Sequence, residues 1–182
     1  VVSAPKVAKK AKAEGVKEFI FMSSMIVYGD SAPYGKQKII DRNTVPIPEN
    51  FYGDSKLQAD FALRLLANDV FKVIVLRPPM IYGNGSKGNY PVLSKIARNL
   101  PIYPDVDNQR SMLYIENLCE FLCQVMLIKE IKENAVVLVP QNDEWTKTSE
   151  MIKEICRVHG KRSRRVFLLN PAILFGAKLP GK

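Results

Sequence analysis

Short apolar runs alternate with longer amphipathic segments along most of the chain. The runs are continuously apolar and several are rich in β-branched side chains, which is typical of buried strands. The longer segments repeat apolar positions at helical spacing. We predict strands at the segments EFIFM, FKVIVLR, SMLYI and NAVVLV, and helices over residues 4–14, 52–69, 91–99, 116–130 and 147–160. Buried strands that alternate with helices predict an α/β fold whose parallel sheet is covered on both faces.

Local signals indicate where several of these elements begin and end. Gly15 and Gly160 follow predicted helices, where a glycine commonly ends a helix. Thr148 is predicted to be the N-cap of the last helix. Residues 30–49 are rich in Pro, Gly, Asp and Asn and predict a long loop. The predicted buried positions of the helix over 52–69 are Leu57, Phe61, Ala62, Leu65 and Leu66.

Composition and charge exclude several classes of protein. With 182 residues, 47% of them hydrophobic and 25% charged, the chain is typical of a globular protein. No apolar run approaches the roughly 18 residues of a membrane span, so we expect no membrane partner. The net charge of +9 is compatible with a nucleic-acid surface or with a phosphate-bearing ligand. The basic clusters at residues 6–12 and 160–165 lack interleaved aromatic residues; we interpret them as solvated surface and expect no nucleic-acid partner.

The cysteine content indicates the redox environment. Cys119, Cys123 and Cys156 are odd in number and lack the spacing of a disulfide framework, which predicts reduced thiols and a cytoplasmic protein. The chain has a single histidine, His159. We therefore expect no metal site, since structural zinc sites use about four nitrogen or sulfur ligands.

Two residues of the second predicted helix indicate proton transfer. Tyr52 and Lys56, in the segment YGDSK, are four residues apart and therefore share one face of a helix. A free phenol has a pKa of about 10, too high for a base at neutral pH, but a neighbouring ammonium favours the phenolate. The pair is a candidate general acid–base unit. Taken alone, a surface tyrosine packed against a lysine stem explains the same spacing.

Three segments then occur in a characteristic order. SSMIVYG follows the first strand, YGDSK opens the long helix, and LRPPMIYG follows the second strand. This order resembles the extended short-chain dehydrogenases/reductases, the NAD-dependent epimerase/dehydratase family that acts on nucleotide sugars. The resemblance implies the C-terminal part of a Rossmann-like doubly wound parallel sheet and a small α/β substrate lobe. It assigns residues 1–80 to the NAD(P)-binding domain and residues 81–182 mostly to the substrate lobe, with residues 115–140 returning to the Rossmann sheet.

The resemblance also implies catalytic and cofactor-binding roles. Ser24 would hydrogen-bond the reacting sugar oxygen, and Tyr52 would move the proton. Lys56 would hold the nicotinamide ribose and assist the tyrosine. Tyr52 and Lys56 are thus both expected to contact the cofactor. The implied cofactor is NAD, with NADP as the alternative. The remaining cofactor-binding assignments are Pro78 and Pro79 at the nicotinamide end, and Ser23, which neighbours the cofactor or serves only in packing at the strand end.

Further residues are assigned to the nucleotide-diphosphate sugar that this family uses as substrate, in addition to Ser24. Arg110 takes the place of the family's arginine that faces the diphosphate, with a solvated loop arginine as the alternative. Met80 stands where many members have an asparagine that contacts the phosphates. Lys87 and Asn89 would meet the sugar nucleotide or be solvent-facing turn residues.

Two residues narrow the implied reaction. In the 4,6-dehydratases the catalytic residue is followed by Asp and Glu, whereas this chain has Met25 and Ile26, neither of which can transfer a proton. Hydride chemistry at sugar C4 remains. The resemblance implies a 4-epimerase similar to those of UDP-glucose and UDP-galactose, or a 4-ketoreductase of a UDP-4-keto-6-deoxy amino sugar. A non-catalytic sensor or scaffold is the third possibility, and the intact set of Ser24, Tyr52 and Lys56 argues against it.

The segment GNGSKG, residues 83–88, has the G-x-G-x-x-G spacing of a dinucleotide-binding loop. We interpret it as a coincidence of spacing, because prolines lie on both sides and because Asp105, the acidic residue at a suitable distance, is predicted in a loop. We expect the true phosphate loop in sequence upstream of this chain. It follows that the chain alone is expected to bind cofactor weakly or not at all, and that the full-length protein is expected to form a homodimer.

Overall fold

The chain forms two units of α/β structure. The computed structural model describes residues 3–32, 36–99, 101–105, 108–128 and 131–166. Unit 1 comprises residues 1–31, 38–79 and 116–141, and unit 2 comprises residues 32–37, 80–115 and 142–182. The elements in chain order are α1 (Ser3–Ala13), β1 (Glu18–Met22), a 3₁₀ turn (Met25–Tyr28), α2 (Phe51–Arg64), β2 (Lys72–Leu76), β3 (Met80–Tyr82), α3 (Asn89–Asn99), β4 (Ile102–Pro104), β5 (Met112–Tyr114), α4 (Ile115–Leu127), β6 (Ala135–Leu138), α5 (Thr148–Val158) and β7 (Arg164–Val166).

A three-stranded parallel sheet in the order β1-β2-β6 forms the centre of unit 1. Its register places Phe21 opposite Val75, and Val75 opposite Val137. Alternate residues of β2 point to opposite faces. Val73 and Val75 pack with residues of α1 and α2, whereas Ile74 and Leu76 pack with residues of α4. This confirms the predicted α/β fold with a parallel sheet covered on both faces.

Unit 2 contains two separate pairs of short parallel strands. β3 pairs with β5, and β4 pairs with β7. The core of the unit joins α3 and α5 to these strands; it contains Ala97, Tyr103, Met112, Met151, Ile152, Ile155 and Cys156. β3, β4 and β7 were not predicted, because three residues are too few to show a periodic pattern, whereas β5 lies within the longer apolar run SMLYI. The segment from residue 167 onward lies outside the described residues.

The structure corrects two sequence predictions about helices. α2 ends at Arg64. Leu57 is buried as predicted, but Phe61 and, just after the helix, Leu65 are 51% and 85% exposed, so the predicted buried face is wrong at these two positions. The buried face consists of Gly53, Leu57, Ala59, Asp60 and Leu63. Because a charged residue lies on the buried side, hydrophobicity alone does not identify that side.

Thr148 is not the N-cap of α5. Lys147 occupies that position, but its side chain does not cap the helix; the backbone N–H of Thr148 donates to Oδ1 of Asn108 at 3.0 Å. The predicted glycine stops are confirmed, since Gly15 and Gly160 have φ of 80° and 63°. All three cysteines are free thiols.

Candidate active site

Ser23 and Ser24 follow β1 at its carboxyl end. The Ser23 N–H donates to the carbonyl of Leu76 at 2.7 Å, which keeps the end of β1 against β2. The Ser23 hydroxyl is buried and has no hydrogen-bond partner among the described residues. A buried hydroxyl without a partner costs free energy that a bound ligand can recover. Ser23 is therefore suited to contact a ligand at this strand end.

Ser24 caps the 3₁₀ turn. Its Oγ accepts a hydrogen bond from the N–H of Ile26 at 3.3 Å, and the N–H of Met25 donates to the carbonyl of Pro78 at 3.0 Å. Since a hydroxyl has one proton to donate as well as two lone pairs, the cap orients Oγ and leaves its proton available. This role of Ser24 was not predicted, because it depends on the short turn that follows.

Tyr52 and Lys56 lie side by side near the start of α2. Nζ of Lys56 is 5.8 Å from the centroid of the Tyr52 ring, as expected for residues four apart on a helix. Nζ also donates to the carbonyl of Met22 at 2.8 Å and lies 5.2 Å from the ring centroid of Phe21. Burial lowers the pKa of Lys56. The lysine therefore connects the tyrosine to the carboxyl end of β1.

Gly53 brings the first turn of α2 close to the 3₁₀ turn. A Cβ added at Gly53 would lie 2.8 Å from the carbonyl oxygen of Ile26 and 3.1 Å from Cβ of Pro48. Asn50 caps the helix, because its Oδ1 accepts from the N–H of Gly53 at 2.9 Å. The spacing of the YGDSK segment gives no sign of this close approach at Gly53.

The residues of unit 1 assigned from the sequence meet at one edge of its sheet. β1 and β2 are parallel, so Ser23, Ser24 and the Pro78–Pro79 pair leave the sheet at the same edge, and Lys56 reaches that edge through Met22. In open parallel sheets, ligands bind outside the carboxyl ends of the strands. The arrangement provides a hydroxyl, a phenol and an ammonium at such an edge, which are the groups required for proton transfer to and from an oxygen.

The predicted substrate-binding residues other than Ser24 belong to unit 2. Met80 begins β3, and Asn89 begins α3, with Lys87 in the glycine loop two residues before it; Lys87 and Asn89 are both exposed. Arg110 is exposed, and its backbone pairs with that of Thr146. Their role in substrate binding remains a prediction.

The glycine segment at 83–88 has a different context from the one expected. A strand, β3, precedes it and α3 begins directly after it. Asp105 lies outside regular structure, as predicted, but directly follows β4. However, β3 pairs with β5 and β4 with β7, whereas a dinucleotide-binding unit has both strands in one sheet. The segment therefore differs from a nucleotide fingerprint by its sheet pairing.

Each of the three glycines in this segment has a positive φ, of 121°, 74° and 92° for Gly83, Gly85 and Gly88. Gly83 also approaches its neighbours closely, since a Cβ there would lie 2.6 Å from the side chain of Ile115. The backbone conformation of the loop explains why glycines stand at these positions.

Comparisons with known proteins define the family. The sequence profile described as "NAD dependent epimerase/dehydratase family" matches residues 2–139. The chain belongs to this family. It is 34% identical over 152 residues to UDP-glucose 4-epimerase of Vibrio cholerae, an alignment that covers 81% of this chain and 45% of the relative.

A second relative is the N-acetyl-α-D-glucosaminyl-diphospho-ditrans,octacis-undecaprenol 4-epimerase of Escherichia coli O157:H7, which is 35% identical over 113 residues, 59% of this chain and 33% of the relative. The chain thus spans less than half the length of these curated relatives. Among solved structures, UDP-glucuronic acid 4-epimerase from Bacillus cereus in complex with NAD superposes with a TM-score of 0.73 at 18% identity, covering 91% of this chain and 55% of that one. This likeness supports the Rossmann-like fold.

Within the part of the chain that the structure describes, no helix is long and apolar enough to cross a bilayer. Over the same residues, no three His, Cys, Asp or Glu side chains are grouped as metal ligands would be.

Proposed function

We propose that the full-length protein is an NAD-dependent 4-epimerase of a nucleotide sugar, with UDP-glucose and UDP-galactose as its substrates. The observation that carries the proposal is the placement of Lys56 Nζ beside the Tyr52 ring and on the carbonyl of Met22, at the strand edge that also bears Ser24. The names of both curated relatives specify 4-epimerases, which supports reaction at sugar C4.

The residues at this edge fit a nicotinamide cofactor. The Ser23 hydroxyl is buried and has no hydrogen-bond partner among the described residues. The Lys56 ammonium donates one proton to the carbonyl of Met22 and keeps two protons with which it can donate to ribose hydroxyls. Pro78 and Pro79 would line the nicotinamide end. When bound, the nicotinamide supplies the acceptor and donor of hydride for the sugar carbon. NAD is favoured over NADP by the family description.

Three residues of the chain would handle the proton at the sugar oxygen. Tyr52 removes the proton from the C4 hydroxyl and later returns it, and the Ser24 hydroxyl donates a hydrogen bond to the same oxygen. Lys56 places its positive charge beside Tyr52, with Nζ 5.8 Å from the centroid of the tyrosine ring. Met25 and Ile26, which follow Ser24 in the 3₁₀ turn, carry no acid or base, and this argues against elimination of water from the sugar.

Unit 2 is proposed to hold the rest of the substrate. Arg110, with Lys87 at the glycine loop, would face the diphosphate, and Met80 and Asn89 would contact the nucleotide sugar. In the same way, unit 1 is proposed to be part of the NAD-binding domain. A homodimer and a cytoplasmic location remain predictions; the exposed apolar side chains on α2 favour the homodimer.

Product analysis tests the proposal. The full-length protein is incubated with UDP-galactose and NAD, and the sugar products are followed by NMR. We expect interconversion with UDP-glucose and no net accumulation of NADH. Stoichiometric consumption of NADPH with a UDP-4-keto-6-deoxy amino sugar would instead identify a 4-ketoreductase, and absence of turnover with both substrates would contradict any enzymatic function of this kind.

A further inference from the structure

Three residues that the sequence analysis did not single out form a buried polar cluster in unit 1. Asp60, Arg77 and Tyr28 are 0%, 4% and 7% exposed. Nε and Nη2 of Arg77 donate to Oδ2 of Asp60 at 2.9 and 2.7 Å, and Nη1 donates to the hydroxyl of Tyr28 at 2.7 Å. The other carboxylate oxygen of Asp60 accepts from Nε of Arg64 at 2.7 Å. The guanidinium also lies over the Tyr28 ring, 5.1 Å from its centroid.

The cluster joins the two elements that carry the proposed catalytic residues to the end of β2. Tyr28 is the last residue of the 3₁₀ turn that Ser24 caps. Asp60 lies on α2, one helical turn after Lys56 and on the buried side. Arg77 directly follows the last residue of β2, and its backbone N–H donates to the carbonyl of Leu138 at 2.9 Å. A single guanidinium thus fixes the helix and the turn to the end of the central strand.

The chemistry of the cluster favours a role in geometry over a role in stability. A buried ion pair often contributes no more to stability than well-packed apolar residues of similar volume. The planar guanidinium, in contrast, imposes directions on its partners that apolar contacts do not impose. Because the charged groups of the cluster pair with one another, these ion pairs do not depend on bound substrate.

We propose that Asp60, Arg77 and Tyr28 are positioning residues that hold α2 and the 3₁₀ turn in the orientation that places Tyr52 and Lys56 beside Ser24. The proposal rests on the proposed function for its catalytic consequence. Its physical content, the fixed orientation of α2 on the sheet edge, is independent of which sugar is used.

The first test is Tyr28→Phe in the full-length protein. This change removes one hydroxyl and keeps the ring under the guanidinium. We expect kcat to fall at least about tenfold, since a misplacement of about 1 Å can cost on the order of 100-fold, while KM for the sugar nucleotide stays within about twofold of the wild-type value. Tyr103→Phe, at a buried tyrosine of unit 2, is the matched control and is expected to leave kcat unchanged. An equal loss of kcat in both variants, or none in Tyr28→Phe, would overturn the proposal.

The second test separates positioning from stability. The triple variant Tyr28→Phe/Asp60→Leu/Arg77→Met replaces every polar group of the cluster by an apolar one of similar size. Removal of both buried charges leaves only Arg64 without its partner, and the Arg64 side chain is 30% exposed. We therefore expect a melting temperature close to that of the wild type. We expect kcat to remain at least about tenfold below the wild-type value, because no directional contact remains. Recovery of kcat together with stability would show that the role is structural only.

Hydrogen exchange provides a readout that needs no activity. In Tyr28→Phe we expect faster exchange of the backbone amides at the start of α2 and in the 3₁₀ turn, with the amides of β2 unchanged. A uniform acceleration across unit 1, or no change, would contradict the proposal. If the wild-type protein turns over no nucleotide sugar, the proposed function fails, and the exchange pattern still decides whether the cluster orients α2.

Discussion

Substitution of Gly53 by alanine tests how tightly the proposed catalytic helix is held. Two effects oppose each other at this position. Alanine is favoured over glycine within a helix by about 1 kcal/mol. The added Cβ, however, would lie 2.8 Å from the carbonyl oxygen of Ile26 and 3.1 Å from Cβ of Pro48. The Ile26 oxygen belongs to the main chain and the Pro48 Cβ to a rigid ring. Because neither atom can move aside easily, the first turn of α2 must move.

The size of the movement gives the expected magnitude. The first turn of α2 must shift by roughly half an ångström to restore an ordinary van der Waals separation. Overpacking of this kind costs about 1–3 kcal/mol, so we expect a net loss of about 1 kcal/mol after the gain in helix propensity. Because Tyr52 lies on the same turn, and a displacement of about 1 Å can cost on the order of 100-fold in rate, a half-ångström shift is expected to lower kcat about tenfold.

The assay is urea unfolding together with initial rates of the full-length protein. Gln58→Ala, at an exposed position of the same helix, is the control and is expected to change stability by less than about 0.5 kcal/mol. If Gly53→Ala were stabilised by about 1 kcal/mol with unchanged kcat, propensity alone would account for the result. The close approach of α2 to the 3₁₀ turn would then have no effect on kcat.

Three further variants follow from individual contacts. Burial lowers the pKa of Lys56 below its ordinary 10.5. Between the lowered pKa and 10.5 the unfolded chain therefore binds more protons at Lys56 than the folded chain, and the free energy of unfolding rises with pH. In Lys56→Met we expect a smaller rise of the urea-unfolding free energy over the same pH interval. Burial raises the pKa of Tyr103 above 10.0, so stability falls as the pH passes 10.0, and Tyr103→Phe is expected to lose less over the same range. Asn108→Ala removes the acceptor of the Thr148 N–H and is expected to lower the free energy of unfolding by about 1 kcal/mol in the same assay. An unchanged free energy of unfolding would show that this hydrogen bond does not stabilise α5.

The sequence was sufficient to predict elements whose pattern is local. The strands β1, β2 and β6 are mostly apolar runs, of which only β2 is largely buried, and their alternation with helices identified the parallel sheet. Tyr52 and Lys56 could be paired from spacing alone, because four residues make about one helical turn. The family was identified from three motifs, and the match to residues 2–139 confirms it.

Features that depend on distant contacts could not be predicted in this way. The N-terminus of α5 is capped by Asn108, which lies 40 residues away in sequence. Hydrophobic periodicity identified Leu57 but not the rest of the buried side of α2, since Asp60 is buried whereas Phe61 and Leu65 are exposed. One signal was available: Arg77 directly follows an apolar strand, where a buried cation requires a buried partner.

The central claim is that Tyr52 moves the proton in a reaction at sugar C4. Its most direct test is the rate of interconversion of UDP-galactose and UDP-glucose by full-length Tyr52→Phe, with Phe51→Leu as the control at the adjacent, 95% exposed position. Because loss of a general acid–base group costs about 10²–10⁴-fold, we predict a loss of that size in Tyr52→Phe with NAD binding retained, and a near-wild-type rate in Phe51→Leu. A Tyr52→Phe protein that interconverts the two sugars at the wild-type rate would contradict the account.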